Sequence, residues 1–469
     1  MIKKIFSVMM LGAMVAITSC TNDEDILTNN IQATEEAEVL TRAGQYGYQD
    51  LDADLEGVTY TITKDVTEAK GQVMANILAG GKKDPLVEQC VNEAKKADEE
   101  RENSLTRCAA PEIPSGFRTI DYTYESIDER GQRITLSSRV VWGVYIGANE
   151  INPCYIMLAP HFTIADNFSC PTQGACLDNL MFKGDKLLIL PDYLGFGVTK
   201  DHVQPYINHE LCARNCIDAL KAGFKIFRDH AKCHMANGWK LYVAGVSQGG
   251  GNALAIHKWL DTHADFAKRW NFHYSYCGSG PYKPTLTFEK YFEQKVLTYP
   301  VVMPLTLKAM MAAYPEILGK WKEEDFYSKT FLQHKAVIDQ MVNSKEYATN
   351  EINEYIFSIF PHEGDKNVKG GEEVLLSDIL SKEALDRNSE LCKKLFECLD
   401  KNDLTKGWTP THPIHLYHGK SDLIVSYANA EAVVEAFPSM ATLKTIPRGC
   451  DGHIGSCLAF MKNIVFGTW

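Results

Sequence analysis

Gly245-Val246-Ser247-Gln248-Gly249 follows the apolar run Leu241-Tyr242-Val243-Ala244 and precedes a helix-like run, Asn252 to Leu260. A serine hydroxyl is a weak nucleophile unless a base takes its proton and the chain holds its oxygen clear of the backbone. A sharp turn between strand and helix gives that exposure, and the flanking glycines permit the turn. The pentapeptide alone is weakly specific, so the reading depends on an acid and a base elsewhere. Asp422 offers the acid, on a loop that begins at Gly419 after the strand-like Pro413 to Tyr417. His453 offers the base, in the loop Gly449 to Gly455 after a second strand-like run, Ala441 to Ile446. Between them Ser426 to Phe437 sets Val433, Val434 and Phe437 on one helical face. In such a set His453 takes the proton of Ser247 as it attacks a carbonyl, while Asp422 fixes the imidazole tautomer and stabilises its cation. Asp451 lies closer to His453 in sequence, but from there it would have to fold back on its own loop.

The chain order Ser247, Asp422, His453 is that of the α/β-hydrolases and differs from the chymotrypsin and subtilisin orders. On these residues the chain resembles that superfamily over about residues 117 to 469, nearest the secretory-lipase and prolyl-oligopeptidase-like esterases. Leu190-Pro191-Asp192-Tyr193-Leu194-Gly195-Phe196-Gly197 resembles the Asp-Tyr-x-Gly-x-Gly loop of the secretory-lipase family, with Asp192 expected to anchor the loop backbone. The resemblance implies an α/β fold, with a mostly parallel central sheet flanked by helices and a helical cap insertion. It implies hydrolysis of carboxylic esters through an acyl-enzyme, a small-molecule or lipid ester as substrate, and no metal or organic cofactor. It also implies two backbone donors for an oxyanion. One is the amide of Gln248; the other is that of Phe162 or Thr163, after the strand Tyr155 to Leu158, where related enzymes carry His-Gly-x. His161 is expected to brace that loop. Two other readings stay open: an exported serine peptidase of the prolyl-oligopeptidase type, and a non-catalytic surface lipoprotein that captures glycans or lipids.

The elements that must position these residues can be followed along the chain. Phe117 to Tyr124, the turn Asp128 to Gly131, and Ile134 to Trp142 read as a hairpin opening the sheet. Lys186 to Leu190 reads as a buried strand, Glu210 to Phe227 as an amphipathic helix, and Phe272 to Tyr276 as the strand after the nucleophile helix. The interval from there to Asp422 is too long for a simple crossover. Its apolar stretch Val296 to Leu318 is broken by Pro300, Pro304, Lys308 and Pro315, which argues against a membrane span. It is expected to be a cap, with Tyr299, Met303, Leu305, Met310, Met311 and Tyr314 as candidate acyl-pocket residues. The organisation expected is 1–19 signal peptide, 20–45 tether, 46–116 mixed or helical segment, 117–283 first part of the core, 284–408 cap, and 409–469 second part of the core. Helical runs are expected around Asp65 to Leu78 and Leu86 to Arg101.

Lys3 and Lys4 precede the short apolar stretch Ile5 to Ile17, which reads as a signal peptide. It ends Ile17-Thr18-Ser19-Cys20, resembling a lipobox cleaved before a lipidated cysteine, and Asp23-Glu24-Asp25 resembles the export signal of surface lipoproteins in some Gram-negative bacteria. The expected place is therefore the cell envelope, lipid-anchored to the outer membrane and facing outward, with membrane association through that anchor only. Loss of Lys3 and Lys4 with the leader would move the net charge from -12 to -14, which argues against nucleic acid as a partner. Export could oxidise some of the 14 cysteines. Cys170 with Cys176, and Cys450 with Cys457, are the candidate disulfides, whereas Cys212 and Cys216 share a helical face and read as reduced packing residues. His412, His415 and His418 lie three apart on a strand, where such residues face opposite sides, so they read as structural and not as a metal site.

Overall fold

The run Lys186-Leu-Leu-Ile-Leu-Pro191 has no polar face, so as a strand it must be covered on both sides. The structure, a computed structural model, describes residues 51–69, 116–144, 152–174, 186–362 and 368–466. The strands are β1 (Tyr60–Ala69), β2 (Gly116–Ile127), β3 (Arg133–Val144), β4 (Tyr155–Leu158), β5 (Lys186–Pro191), β6 (Lys240–Val246), β7 (Phe272–Gly278), the short pair β8 (Val296–Leu297) and β9 (Val374–Leu375), β10 (Ile414–Gly419) and β11 (Ala441–Ile446). Nine of them form one sheet in the order β1-β2-β3-β5-β4-β6-β7-β10-β11. Pairs from β5 across to β11 are parallel, and β1, β2 and β3 add an antiparallel edge.

Period-two alternation sorts the strand residues onto two faces. Leu187, Ile189, Leu241 and Val243 belong to one core, while Leu188, Leu190, Tyr242, Ala244 and Val246 belong to the other. The first face is covered by α1 (His209–Lys225) and α2 (Gln248–Thr262), through Leu211, Ile217, Leu220, Phe224, Leu254 and Leu260. Each such side chain, once fully buried, contributes about 1.5 to 3 kcal/mol.

The insertion comprises α3 (Pro284–Gln294), α4 (Val302–Ala313), α5 (Lys329–Ser344), α6 (Thr349–Ile359) and α7 (Glu390–Asp400), and builds a core of its own around Phe288, Phe331, Ile356 and Leu395. Pro284 starts α3, where its missing N–H costs no hydrogen bond, and the Leu404 amide donates to the Tyr282 carbonyl at 2.9 Å to close the neck. The sheet then resumes with β10, α8 (Ala428–Ala436), β11 and α9 (His453–Phe466); Phe460 of α9 packs on the second face. No described helix is long and apolar enough to cross a membrane.

Two expectations are corrected. The expected helical run from Asp65 begins inside β1, so the sheet starts at Tyr60 and draws on the 46–116 segment. Thr61, Thr63, Val66 and Thr67 are β-branched, and half-buried Tyr60 and Ile62 pack against the first core, which favours an edge strand over a helix. Residues 1–50, which include Cys20, lie outside the described residues, as do Cys176 and Leu86 to Arg101.

At the end of β5, Asp192 is fully buried and its carboxylate accepts from Ser137 Oγ (2.5 Å), Thr172 N (2.9 Å) and Thr172 Oγ1 (2.5 Å). Burial pushes its carboxyl above the usual range even though these bonds pull it down. This acid thus ties together β3, the loop after β4 and the loop after β5. Asp192→Ala should lower stability by about 2 to 4 kcal/mol, because it leaves one buried and two part-buried donors unpaired. Urea unfolding checks this; a loss below about 1 kcal/mol would mean that other groups hold the loops.

Candidate active site

β6 ends at Val246 and α2 begins at Gln248, so Ser247 alone makes the turn, at φ 58° and ψ -124°. A non-glycine residue held there is strained by about 1 to 3 kcal/mol and must be imposed by its surroundings. They are very close. A Cβ on Gly245 would sit 2.2 Å from the Gly249 carbonyl oxygen, and one on Gly249 would sit 2.2 Å from that of Pro160. The Ser247 amide donates to the Gly278 carbonyl at 2.8 Å, fastening the turn to β7.

The three residues picked from the sequence come together. Ser247 Oγ is 2.9 Å from His453 Nε2, and His453 Nδ1 is 2.7 Å from Asp422 Oδ2. With Nδ1–H donating to the carboxylate, Nε2 is left as the acceptor for the serine hydroxyl. Asp422 Oδ1 accepts from the amides of Ile424 (2.9 Å) and Val425 (2.8 Å). Burial would raise the Asp422 carboxyl, but the His453 charge and the hydrogen bonds from His418 and His453 hold it well below the usual range. Burial likewise works against charge on His453, yet the Asp422 carboxylate outweighs it and raises the imidazole. Asp451 is engaged elsewhere, accepting from Ser421 Oγ at 2.6 Å and from the Gly449 amide at 3.0 Å.

His453 is corrected in its setting. It opens α9 and does not lie inside a loop. That helix turns Cys457, four residues on, into the second core, while Cys450 stays exposed; both thiols are free, so the expected disulfide is absent. Cys170 is likewise a free, buried thiol, and Cys212 and Cys216 lie 4.0 Å apart, unbonded.

The loop after β4 runs along the start of α2. The ring nitrogens of His161 face the carbonyl oxygens of Phe162 (2.7 Å) and Asp192 (3.1 Å), and its ring stacks on Tyr193 at 3.9 Å. Phe162, Thr163 and Gln248 line the same cavity as Ser247, with Thr163 Oγ1 3.2 Å from the Tyr206 hydroxyl. Sequence reasoning missed Gln204, whose Nε2 donates to Gln248 Oε1 at 3.3 Å, and His418, which reaches Asp422. His418 was read with His412 and His415 as a strand rim, but the three part company: His412 meets Asp261 at 2.5 Å and His415 meets Thr442 Oγ1 at 3.0 Å.

The cavity measures about 1230 Å³ and lies between the sheet's carboxyl edge and the cap. That exceeds the roughly 300 to 1,000 Å³ of common small-molecule pockets, so there is room for more than a short acyl group. Tyr299 lines it, but Met303 and Met310 are buried in the cap's own core, with Met311 packed against it. Helical period explains the correction. Val302 and Thr306, one turn apart, reach the cavity, whereas Met303 and Leu307, each one residue on and so about 100° further round α4, turn into the cap's core, where Met310 is also buried. The cap also grips the acid's loop, since the Tyr291 hydroxyl donates to the Ile424 carbonyl at 2.5 Å.

No family model matches the sequence, and no curated protein does. Solved structures do. A ligand-bound form of the rice cell wall degrading esterase LipA from Xanthomonas oryzae aligns over 87% of this chain and 95% of its own, at 18% identity and a TM-score of 0.62. Candida antarctica lipase A in its closed state aligns over 75% and 78%, at 13% identity and a TM-score of 0.50. At such identities the likeness bears on architecture, and the chain has the α/β-hydrolase fold.

The hydrogen-bond line predicts how His453 titrates. In NMR titrations of the histidine rings, His453 should ionise above the ordinary imidazole value of about 6.5. Asp422→Asn should bring it down, because the largest raising charge is gone and burial remains, whereas Asp451→Asn should leave it in place. Equal shifts in the two variants would contradict the assignment of Asp422 as the partner.

Proposed function

We propose that this protein is a serine hydrolase that cleaves carboxylic esters through an acyl-enzyme. The observation that carries the reading is the hydrogen-bonded line from Ser247 Oγ through His453 to Asp422, opening on a roomy and largely apolar cavity. His453 Nε2 takes the hydroxyl proton as Ser247 Oγ bonds to the ester carbonyl carbon. The oxyanion is held by the Gln248 amide and by that of Phe162 or Thr163. His453 then gives the proton to the departing alkoxide, and water repeats the two steps to release the acid. The fold it shares with an esterase and a lipase supports this reading.

A serine peptidase is the second reading, favoured by Glu354, Glu372 and Glu373 at the cavity, where carboxylates could meet an amino terminus. Glu372 is paired with Lys369, and Glu373 accepts the Lys369 amide, so the ester reading ranks first. We also propose export and lipid anchoring at Cys20 to the outer membrane, on the surface side. The support is in the sequence: Lys3 and Lys4, the apolar Ile5 to Ile17, Ile17-Thr18-Ser19-Cys20, and the acids that follow.

A panel of p-nitrophenyl esters and aminoacyl amides tests the reading. Esters should be preferred, with kcat/KM rising from acetyl to octanoyl as each buried methylene adds about 0.8 kcal/mol until the cavity is filled. Ser247→Ala should lower kcat by about 10⁴ to 10⁶. Activity should climb as pH rises through the His453 ionisation, since only the neutral ring accepts a proton. Amides cleaved faster than every ester would promote the peptidase, and an undiminished Ser247→Ala would remove the serine hydrolase altogether.

A further inference from the structure

His418 is the last residue but one of β10, and its side chain is wholly buried beside the acid. Its Nε2 lies 3.0 Å from the Val425 carbonyl oxygen and 3.2 Å from Asp422 Oδ2. A carbonyl oxygen only accepts, so Nε2 carries the ring's hydrogen and can share it with the carboxylate. Nδ1 is buried without a partner. A buried polar atom left unmatched is costly, and such costs gather at functional sites.

The geometry points to His418 as a positioning residue, whose Nε2–H fixes the Asp422 carboxylate in the orientation that His453 uses. This inference rests on the Ser247, His453, Asp422 reading. Four donors surround the acid. The amides of Ile424 and Val425 take Oδ1, and His453 Nδ1 and His418 Nε2 converge on Oδ2. Because His418 also donates to the carbonyl of Val425, whose amide donates to Asp422, one imidazole rivets both the carboxylate and its turn. The titratable groups facing this line are the Tyr427 ring, 5.6 Å from that of His418, Tyr291 of the cap, whose hydroxyl bonds the Ile424 carbonyl, and Cys457, whose thiol meets His453.

The test compares His418→Phe, which fills the space without a donor, with His418→Gln, whose amide nitrogen can stand where Nε2 stands. With p-nitrophenyl butyrate, His418→Phe should lower kcat about tenfold, the worth of one hydrogen bond to a charged group, with KM little changed. The acid limb of its kcat/KM profile should move to higher pH, because a carboxylate with one donor fewer is a stronger base and holds the His453 proton more tightly. His418→Gln should recover most of the rate and return the limb. Equal rates in the two variants with an unmoved limb, or a loss confined to KM, would overturn the inference. If His418→Phe does not fold, ¹⁵N spectra of the wild-type rings decide: His418 should be protonated at Nε2, and an Nδ1–H tautomer would refute the proposal. A silent Asp422→Asn or a fully active Ser247→Ala would instead defeat the underlying reading.

Discussion

The backbone of Ser247 is held where an L-residue does not rest by choice, and the arrangement around it depends on that constraint. Three neighbours impose it: the Gly278 carbonyl that takes its amide, the Gly249 carbonyl closing on Gly245, and the Pro160 carbonyl closing on Gly249. A side chain at either glycine would push these carbonyls apart. The loop after β4, which also carries Phe162 and Thr163, is therefore seated against the Ser247 turn by the same contacts that strain it.

A second line of the same residue types shows why that constraint matters. Ser275 Oγ is 2.7 Å from His257 Nδ1, and His257 Nε2 is 3.0 Å from Asp261 Oδ2. Hydrogen bonding alone would rank it beside the first. Yet Ser275 lies within β7, wholly buried, in the ladder and not on a strained turn, and it lines no part of the cavity. Serine, histidine and aspartate in contact make a buried polar network there. At Ser247 they face space for a substrate because the turn carries the oxygen out of the sheet.

Much of this was legible in the residues. Strand, turn and helix around Ser247 are local events, and the acid and base each follow an apolar strand, so their convergence at one sheet edge follows from parallel pairing. What was hidden depended on which way a helix faces. The apolar stretch of α4 offers methionines, Val302 and Thr306 within one broad apolar surface, and no pattern within it marks the strip that meets the cavity. Cys450 and Cys457 are close in sequence, but the helix beginning at His453 sends one inward and leaves the other in solvent. The place of His418 was not legible because it is set by the loop that brings Val425, seven residues later, back over it.

The central claim is that Ser247 becomes covalently acylated during turnover. Rapid acid quenching of the enzyme with a slowly deacylating ester, followed by peptide mass spectrometry, tests this most directly. The account predicts one acyl group per chain, on the peptide that holds Ser247, appearing before steady state and vanishing as substrate runs out. An acyl group on another residue, or hydrolysis with no covalent adduct at any time, would contradict it.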